Sequence, residues 1–274
     1  MRRIVWIASY PKSGNTWVRA IVDRILHPDA PFDINRLGDA APSFNNIVQR
    51  FVDEQEIQLS ASAPGEVRRY WTPVQKQICE AADGPVFLKT HNVAAKFDSG
   101  PFPDPTCTTS AIYVLRDPRD VALSWAYHYK TSLGIAVMAL CTSSAHNVKQ
   151  EALGKTELLM SWGEHVYGWT SLKRRKVLVL RYEDLLADTR EGVRQIGAFL
   201  NSRLSDQRVD AIVDTTAFGQ LKKQERERGF RESVRAEGFF RAGTAGQWRD
   251  VKDQQVFQPI IEKHRREMRR HAYL

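Results

Sequence analysis

The chain opens on an apolar, β-branched run, "RRIVWIAS" (2–9), that stops at a proline and a glycine, which predicts a buried strand. Behind it, "NTWVRAIVDRIL" (15–26) sets Trp17, Ile21, Val22 and Ile25 at helical spacing and ends before Pro28. The order of strand, polar loop and helix then recurs. "PVFLK" (85–89) runs into "THN", and "SAIYVLR" (110–116) runs into "DPRDVALSWAYHY", with Asp117 as helix cap and Pro118 at the first helical position. A fourth run, "KVLVLRYEDL" (176–185), precedes the amphipathic "TREGVRQIGAFL" (189–200). Apolar runs alternating with helices predict the α/β class, a central parallel sheet with helices on both faces, and the length suits a single domain over 1–274. In such sheets ligands sit beyond the carboxyl ends of the strands, where each of these polar clusters falls.

Residues 28–65, 96–109 and 131–160 follow no firm period and are expected to be excursions, suited to a lid or to the walls of a site. The carboxyl end, 253–274, reads as a basic amphipathic helix with a solvated charged face. A net charge of +8 and a pI near 9.5 favour an anionic partner: nucleic acid, a membrane surface, or a ligand with several phosphates or sulfates. Cys79, Cys107 and Cys141 are far apart and form no CxxC pair, so reduced thiols are expected rather than a disulfide framework or a zinc site. With no signal-like or membrane-spanning segment, the expectation is a soluble, cytoplasmic protein without a membrane partner.

"YPKSGNTW" (10–17) joins the first strand to the first helix. A loop in that place presents backbone N–H groups at the positive end of the helix dipole, which suits a phosphate or sulfate. Gly14 lets the backbone approach closely, and Lys12, Ser13, Asn15 and Thr16 add a charge and hydrogen-bonding groups. Alone, "KSG" would fit a surface turn; its position between buried strand and helix points to an anion cradle. The nucleotide-binding loop GxxxxGK[ST] is different, because its lysine follows the second glycine. In the next cluster Arg116, Arg119 and Ser124 would converge on a second anion, or else the arginines pair with Asp117 and Asp120. "FFRAGTAGQW" (239–248) places Arg241 beside Gly243 in a flexible loop. "FLKTH" puts Lys89 and His91 at another strand end, where an imidazole can take a proton from a hydroxyl. No role is assigned to His27, His128, His146, His165, His264 or His271.

Together, in this order, these segments resemble the PAPS-dependent sulfotransferases of the cytosolic type, from the strand before Tyr10 to Trp248. "YPKSGNTW" is similar to the family's 5'-phosphosulfate loop, "YVLRDPRDVALS" to its 3'-phosphate motif and "RAGTAGQW" to its RxGxxGxW motif. The resemblance implies transfer of a sulfuryl group from 3'-phosphoadenosine 5'-phosphosulfate (PAPS) to a hydroxyl or amine of a small-molecule acceptor, leaving 3'-phosphoadenosine 5'-phosphate (PAP), with no metal. It implies that Lys12, Ser13, Gly14, Asn15 and Thr16 bind the phosphosulfate and that Trp17 stacks near the adenine. Arg116, Ser124, Arg241, Ala242 and Gly243 would hold the 3'-phosphate, and Tyr182, Thr216 and Phe218 would line the adenosine. His91 would be the general base, Lys12 would stabilise the leaving phosphate, Lys89 would bind the transferring group, and Ser124 would engage Lys12 before acceptor binds. Ala242 stands where many animal members have lysine, "DTTAF" differs from the commoner "TSF", and the animal dimer motif KxxxTVxxxE is missing from "RDVKDQQVFQPIIE". "WIASYPKSGNTW" looks closer to bacterial members acting on natural products.

Trp71, Phe97, Trp125, Tyr127 and Tyr129 would then line an aromatic acceptor pocket, with Phe44 and Phe51 in its lid. Two other classes of function compete. A P-loop-like nucleotide kinase would use the acids of "VLVLRYED" for magnesium. A noncatalytic nucleic-acid binder would use the arginines of "KHRREMRRH", but the basic residues are spread along the chain and form no recognisable module, so no nucleic-acid partner is expected.

Overall fold

The computed structural model describes residues 2–60, 62–144, 146–147, 152–173, 175–233 and 238–274. Its centre is a four-stranded sheet of β1 (Ile4–Ser9), β2 (Val86–Thr90), β3 (Thr108–Leu115) and β4 (Lys176–Arg181), in the order β2-β1-β3-β4, with every pair parallel. The register sets Ala8 beside Thr90, Ser9 beside Val114 and Leu115 beside Arg181, so all four strands deliver their following loops to one edge. The strand order reverses between β1 and β3, and a crevice forms at such a switch point.

Alternation along the strands sorts the core into two layers. Trp6, Ala8, Leu88, Ala111, Tyr113 and Leu115 face one layer, while Ile7, Ile112, Val114 and Leu180 face the other. The second layer is closed by α1 (Asn15–Leu26) together with Val193, Ile196, Val209 and Ile212 from two later helices. The first layer is aromatic: Trp6 meets Phe44, Phe102 and Trp169 edge-on at 5.2, 5.1 and 6.4 Å. Such ring pairs each add about 1 kcal/mol to the stabilisation from burial alone.

The three aperiodic stretches hold more structure than expected. Residues 28–65 contain α2 (Phe44–Glu54), and α3 (Trp71–Ala81) follows. Phe44 is fully buried and Trp71 nearly so, packed against each other and Phe102, so both belong to the core and neither forms lid or pocket wall. Residues 96–109 are a hairpin, Ala95–Phe97 with Gly100–Phe102, leading into β3. After α4 (Pro118–Tyr129), residues 131–160 hold α5 (Leu133–Cys141) and the short antiparallel pair His146–Asn147 and Glu157–Leu158; part of that stretch lies outside the described residues. Next come α6 (Trp162–Thr170), α7 (Thr189–Phe199), α8 (Asp206–Thr216) and α9 (Phe218–Arg228). The basic carboxyl helix is α10 (Gln258–Arg270), whose Ile260, His264 and Met268 are buried on one face.

Asp117 caps α4 by accepting from Arg119 N, with Pro118 in the first turn, as its sequence predicts. The three cysteines are free, and Cys79 Sγ donates to Cys107 O at 3.5 Å. Among the described residues no helix is long and apolar enough to cross a membrane.

Candidate active site

The loop after β1 holds two left-handed residues, Lys12 at φ 70° and Gly14 at φ 103°. Left-handed turns aim successive N–H groups into one concave face, and a lysine in that region carries about 1 kcal/mol or more of strain, a cost typical of functional loops. Gly14 caps α1 without a side-chain hydrogen bond, and the first turn has no acidic residue, so no side chain competes for the N–H groups of Asn15 and Thr16 at the helix start, while Trp17 N bonds Gly14 O at 3.1 Å. A Cβ at Gly14 would meet Tyr182 Cδ2 at 2.8 Å, so glycine is needed here for space as well as for φ.

Arg116, at the end of β3, crosses the switch point. It donates to Lys12 O at 3.2 Å and to Thr244 O at 2.9 Å, and its guanidinium lies 4.4 Å from the Tyr182 ring centroid. The third loop is strapped beside it: buried Asp120 accepts from Gly246 N at 2.6 Å and Trp248 N at 2.9 Å, while Glu225 accepts from Phe239 N and Phe240 N. This brings Arg241 close enough to Arg116 that burial and the like charge together push its guanidinium below its ordinary pKa. Arg241 donates to Gln247 Oε1 at 2.6 Å and lies over Tyr127. Ala242 and Gly243 continue this loop half-buried, and Gly243 lies against Phe218, where a Cβ would meet ring atoms at 2.4 Å. Trp17 meets Tyr182 edge-on at 5.7 Å.

Ser13 Oγ, Trp17 Nε1 and Arg116 Nε are buried and have no partner among the described residues. Others of that kind, such as Trp71 and Trp162, lie in the core; these three are gathered by the loop after β1 and by Tyr182, which both Trp17 and Arg116 touch. A buried polar group without a partner costs about 1–3 kcal/mol, and Asp120, 3.8 Å from Arg116, is a single carboxylate beside two arginines, so an anion fits what these residues lack.

On the opposite flank, His91 follows β2. Its Nδ1–H donates to Ser9 O at 2.8 Å, which leaves the lone pair on Nε2. Burial, then the nearby Lys89, lowers its pKa from 6.5 to about 4, so the ring is neutral at pH 7. Lys89 pairs with Glu157 at 3.5 Å, an acid with no counterpart in the sequence expectations.

Several of the expected groups are engaged within the protein. Lys12 Nζ hydrogen-bonds His128 Nδ1 at 3.3 Å and lies 4.3 Å from the Phe239 ring centroid; half-buried Ser124 is one turn earlier on α4. Asn15 turns inward, donating to Ile7 O and Ser9 Oγ, and Thr16 is buried beside it. Thr216 is fully buried and spends its hydroxyl proton on Ile212 O, so it offers no surface to an adenosine. Arg119 takes the ion-pair alternative, forked on Asp117 and donating to Tyr273 O, with Trp248 under its guanidinium.

His165, which carried no expected role, hydrogen-bonds the backbone of His91. The acids of "YED" are engaged structurally: Glu183 accepts from Asp117 N and Tyr273 OH, and Asp184 pairs with Arg181. Among the described residues no cluster of His, Cys, Asp and Glu suits a metal. The aromatic trio stays near the crevice, with Trp125 against Tyr10 and Tyr129, and Tyr129 against His128.

The family model described as "Sulfotransferase domain" matches residues 2–270. The chain is 26% identical to the guinea-pig (Cavia porcellus) 3-alpha-hydroxysteroid sulfotransferase, over 93% of this chain and 81% of that protein. It is 28% identical to sulfotransferase 1A1 of Bos taurus, over 79% of this chain and 65% of that protein. A solved structure of retinol dehydratase in complex with androsterone and inactive cofactor PAP superposes with a TM-score of 0.67 at 21% identity, covering 98% of this chain and 81% of that one. The chain belongs to the sulfotransferase domain family.

Proposed function

We propose that this family member moves the sulfuryl group of PAPS to a hydroxyl or amine of a small-molecule acceptor, working as one domain over residues 1–274. The reading rests on one observation above all: an anion cradle and a neutral, oriented imidazole meet at the same edge of the sheet. The relatives' names agree, since one is a hydroxysteroid sulfotransferase and a similar fold is described with PAP and androsterone.

The donor supplies an activated sulfuryl group; the remaining work belongs to the chain. The loop N–H groups, Ser13 and Lys12 hold its 5' end, Arg116 and Arg241 its 3'-phosphate, and Trp17, Tyr182 and Phe218 its base. His91 Nε2 accepts the acceptor's proton as attack begins. Lys12 leaves His128 and offers its ammonium to the oxygen on which negative charge collects, while Lys89 steadies the group in transit. Holding both partners in line supplies much of the rate.

The test is incubation with PAPS and a panel of phenols, alcohols and amines, with and without EDTA, following PAP release and the mass of the acceptor. Sulfated product in EDTA, lost in His91→Asn with PAP binding kept, is expected. No PAP release with any acceptor, together with no PAP binding, would overturn the reading.

A further inference from the structure

One face of α6 is turned onto the loop that carries His91. His165 and Trp169, both fully buried and one helical turn apart, donate to two consecutive carbonyls: His165 Nε2–H to His91 O at 3.0 Å and Trp169 Nε1–H to Asn92 O at 2.9 Å. The helix lies flush there, because a Cβ at Gly168 would come within 2.1 Å of Ala94 O. Tyr113 of β3 sets the tautomer of His165. With Nε2–H committed to His91 O, Nδ1 must accept, and the Tyr113 hydroxyl donates to it at 2.9 Å. Tyr113 also stacks on Trp169, and Tyr10, next to the Ser9 carbonyl that orients His91, meets the His165 ring edge-on. The other side of the loop is tied as well: Asn92 donates to Asn45 Oδ1 and accepts from Leu158 N, and Asn92 N donates to Thr90 Oγ1.

We propose that α6 is the positioning element for the base, with His165 and Trp169 holding the backbone of residues 91 and 92 so that His91 keeps Nδ1–H on Ser9 O and Nε2 toward the acceptor. The proposal rests on His91 acting as the base, and neither residue touches a reacting atom. Main-chain carbonyls taken by two side chains of one helix leave the loop little freedom to rotate, and a small misplacement of a catalytic group costs far more in rate than in stability.

The experiment uses 15N-labelled full-length protein with PAP, read by long-range 1H–15N imidazole spectra at neutral pH and by turnover of PAPS with a phenol probe. In the unaltered protein His91 is expected as a single Nδ1–H tautomer and His165 as the Nε2–H tautomer. His165→Leu should turn the His91 signals into a tautomer mixture and cut kcat about ten- to a hundredfold. The PAP Kd and the KM of the phenol should stay within about twofold. His165→Gln, which returns an N–H donor, should recover most of the loss; a merely structural role for the imidazole would not be rescued this way. Should His165→Leu fail to fold, Trp169→Phe and Gly168→Ala carry the test, one removing a donor and the other pushing the helix off the loop. Folded variants with unchanged His91 spectra would overturn the proposal. Changed spectra with an unchanged rate would support the positioning and remove His91 as base, separating the two claims.

Discussion

Around Arg116 and Arg241 the protein brings two like charges together and leaves buried donors without partners, whereas beside His91 the carbonyls of residues 91 and 92 and the Asn92 side chain are matched inside the protein. The first region is suited to an anion. The second is finished in advance, with its tautomer set by Ser9 and its backbone held from α6. The difference separates binding from chemistry: mutations of Arg116 and Arg241 should act through donor affinity, mutations on the imidazole side through kcat, and only Lys12, which serves both, through both.

The largest expected effect comes from acid, and two of the three imidazoles it acts on, His91 and His165, lie on the finished side. His165 and His264 are buried and lowered to about 3 and about 4, and His91 to about 4, chiefly by desolvation. Their folded-state pKa values lie below the unfolded value, so the unfolded chain binds more protons as pH falls. Their contribution is fully present above pH 6.5 and is lost as pH falls towards 3 to 4. At roughly 3 to 5 kcal/mol per imidazole, the sum is comparable with the stability of a whole domain. Denaturant titrations in steps from pH 7 to pH 4 should show a steep fall; a flat profile would mean these rings are not held neutral.

Next in size is His91→Asn, expected to lower kcat about 10²- to 10⁴-fold with the PAP Kd unchanged. Arg116→Ala should do the reverse, weakening PAP about a hundredfold in calorimetry while kcat at saturating donor falls much less. If each mutation moved both parameters equally, the division between the two regions would collapse. The smallest effects separate Ser124 from His128. Because Lys12 Nζ rests on His128, Ser124→Ala should leave acceptor-independent cleavage of PAPS within about twofold, and His128→Ala should raise it more. Equal rises would return Ser124 to the role the family resemblance implied.

The anion side was the more legible of the two in the sequence because its signals are local. The strand, Gly14 and the helix start lie within a dozen or so residues, and Asp117 with Pro118 announces α4 directly. The imidazole side depends on contacts across 74 residues for His165 and His91, and the partner of Lys12 lies 116 residues away at His128, so no spacing rule reaches them. Helix α2 was hidden differently: Phe44, Ile47, Val48, Phe51 and Val52 have helical spacing, but the Pro, Asn and Asp around them dominated the reading of 28–65. A motif position such as Thr216 does not say which way a hydroxyl points; here it donates to Ile212 O from a buried helix end.

The central claim is that the crevice between β1 and β3 is a metal-independent site for an adenosine bisphosphate. Calorimetric titration of the protein with PAP, and separately with ATP, each with magnesium and with EDTA, tests it most directly. The account predicts PAP binding of equal affinity in both buffers and much weaker binding of ATP. ATP preferred only with magnesium, or no binding of PAP, would contradict it.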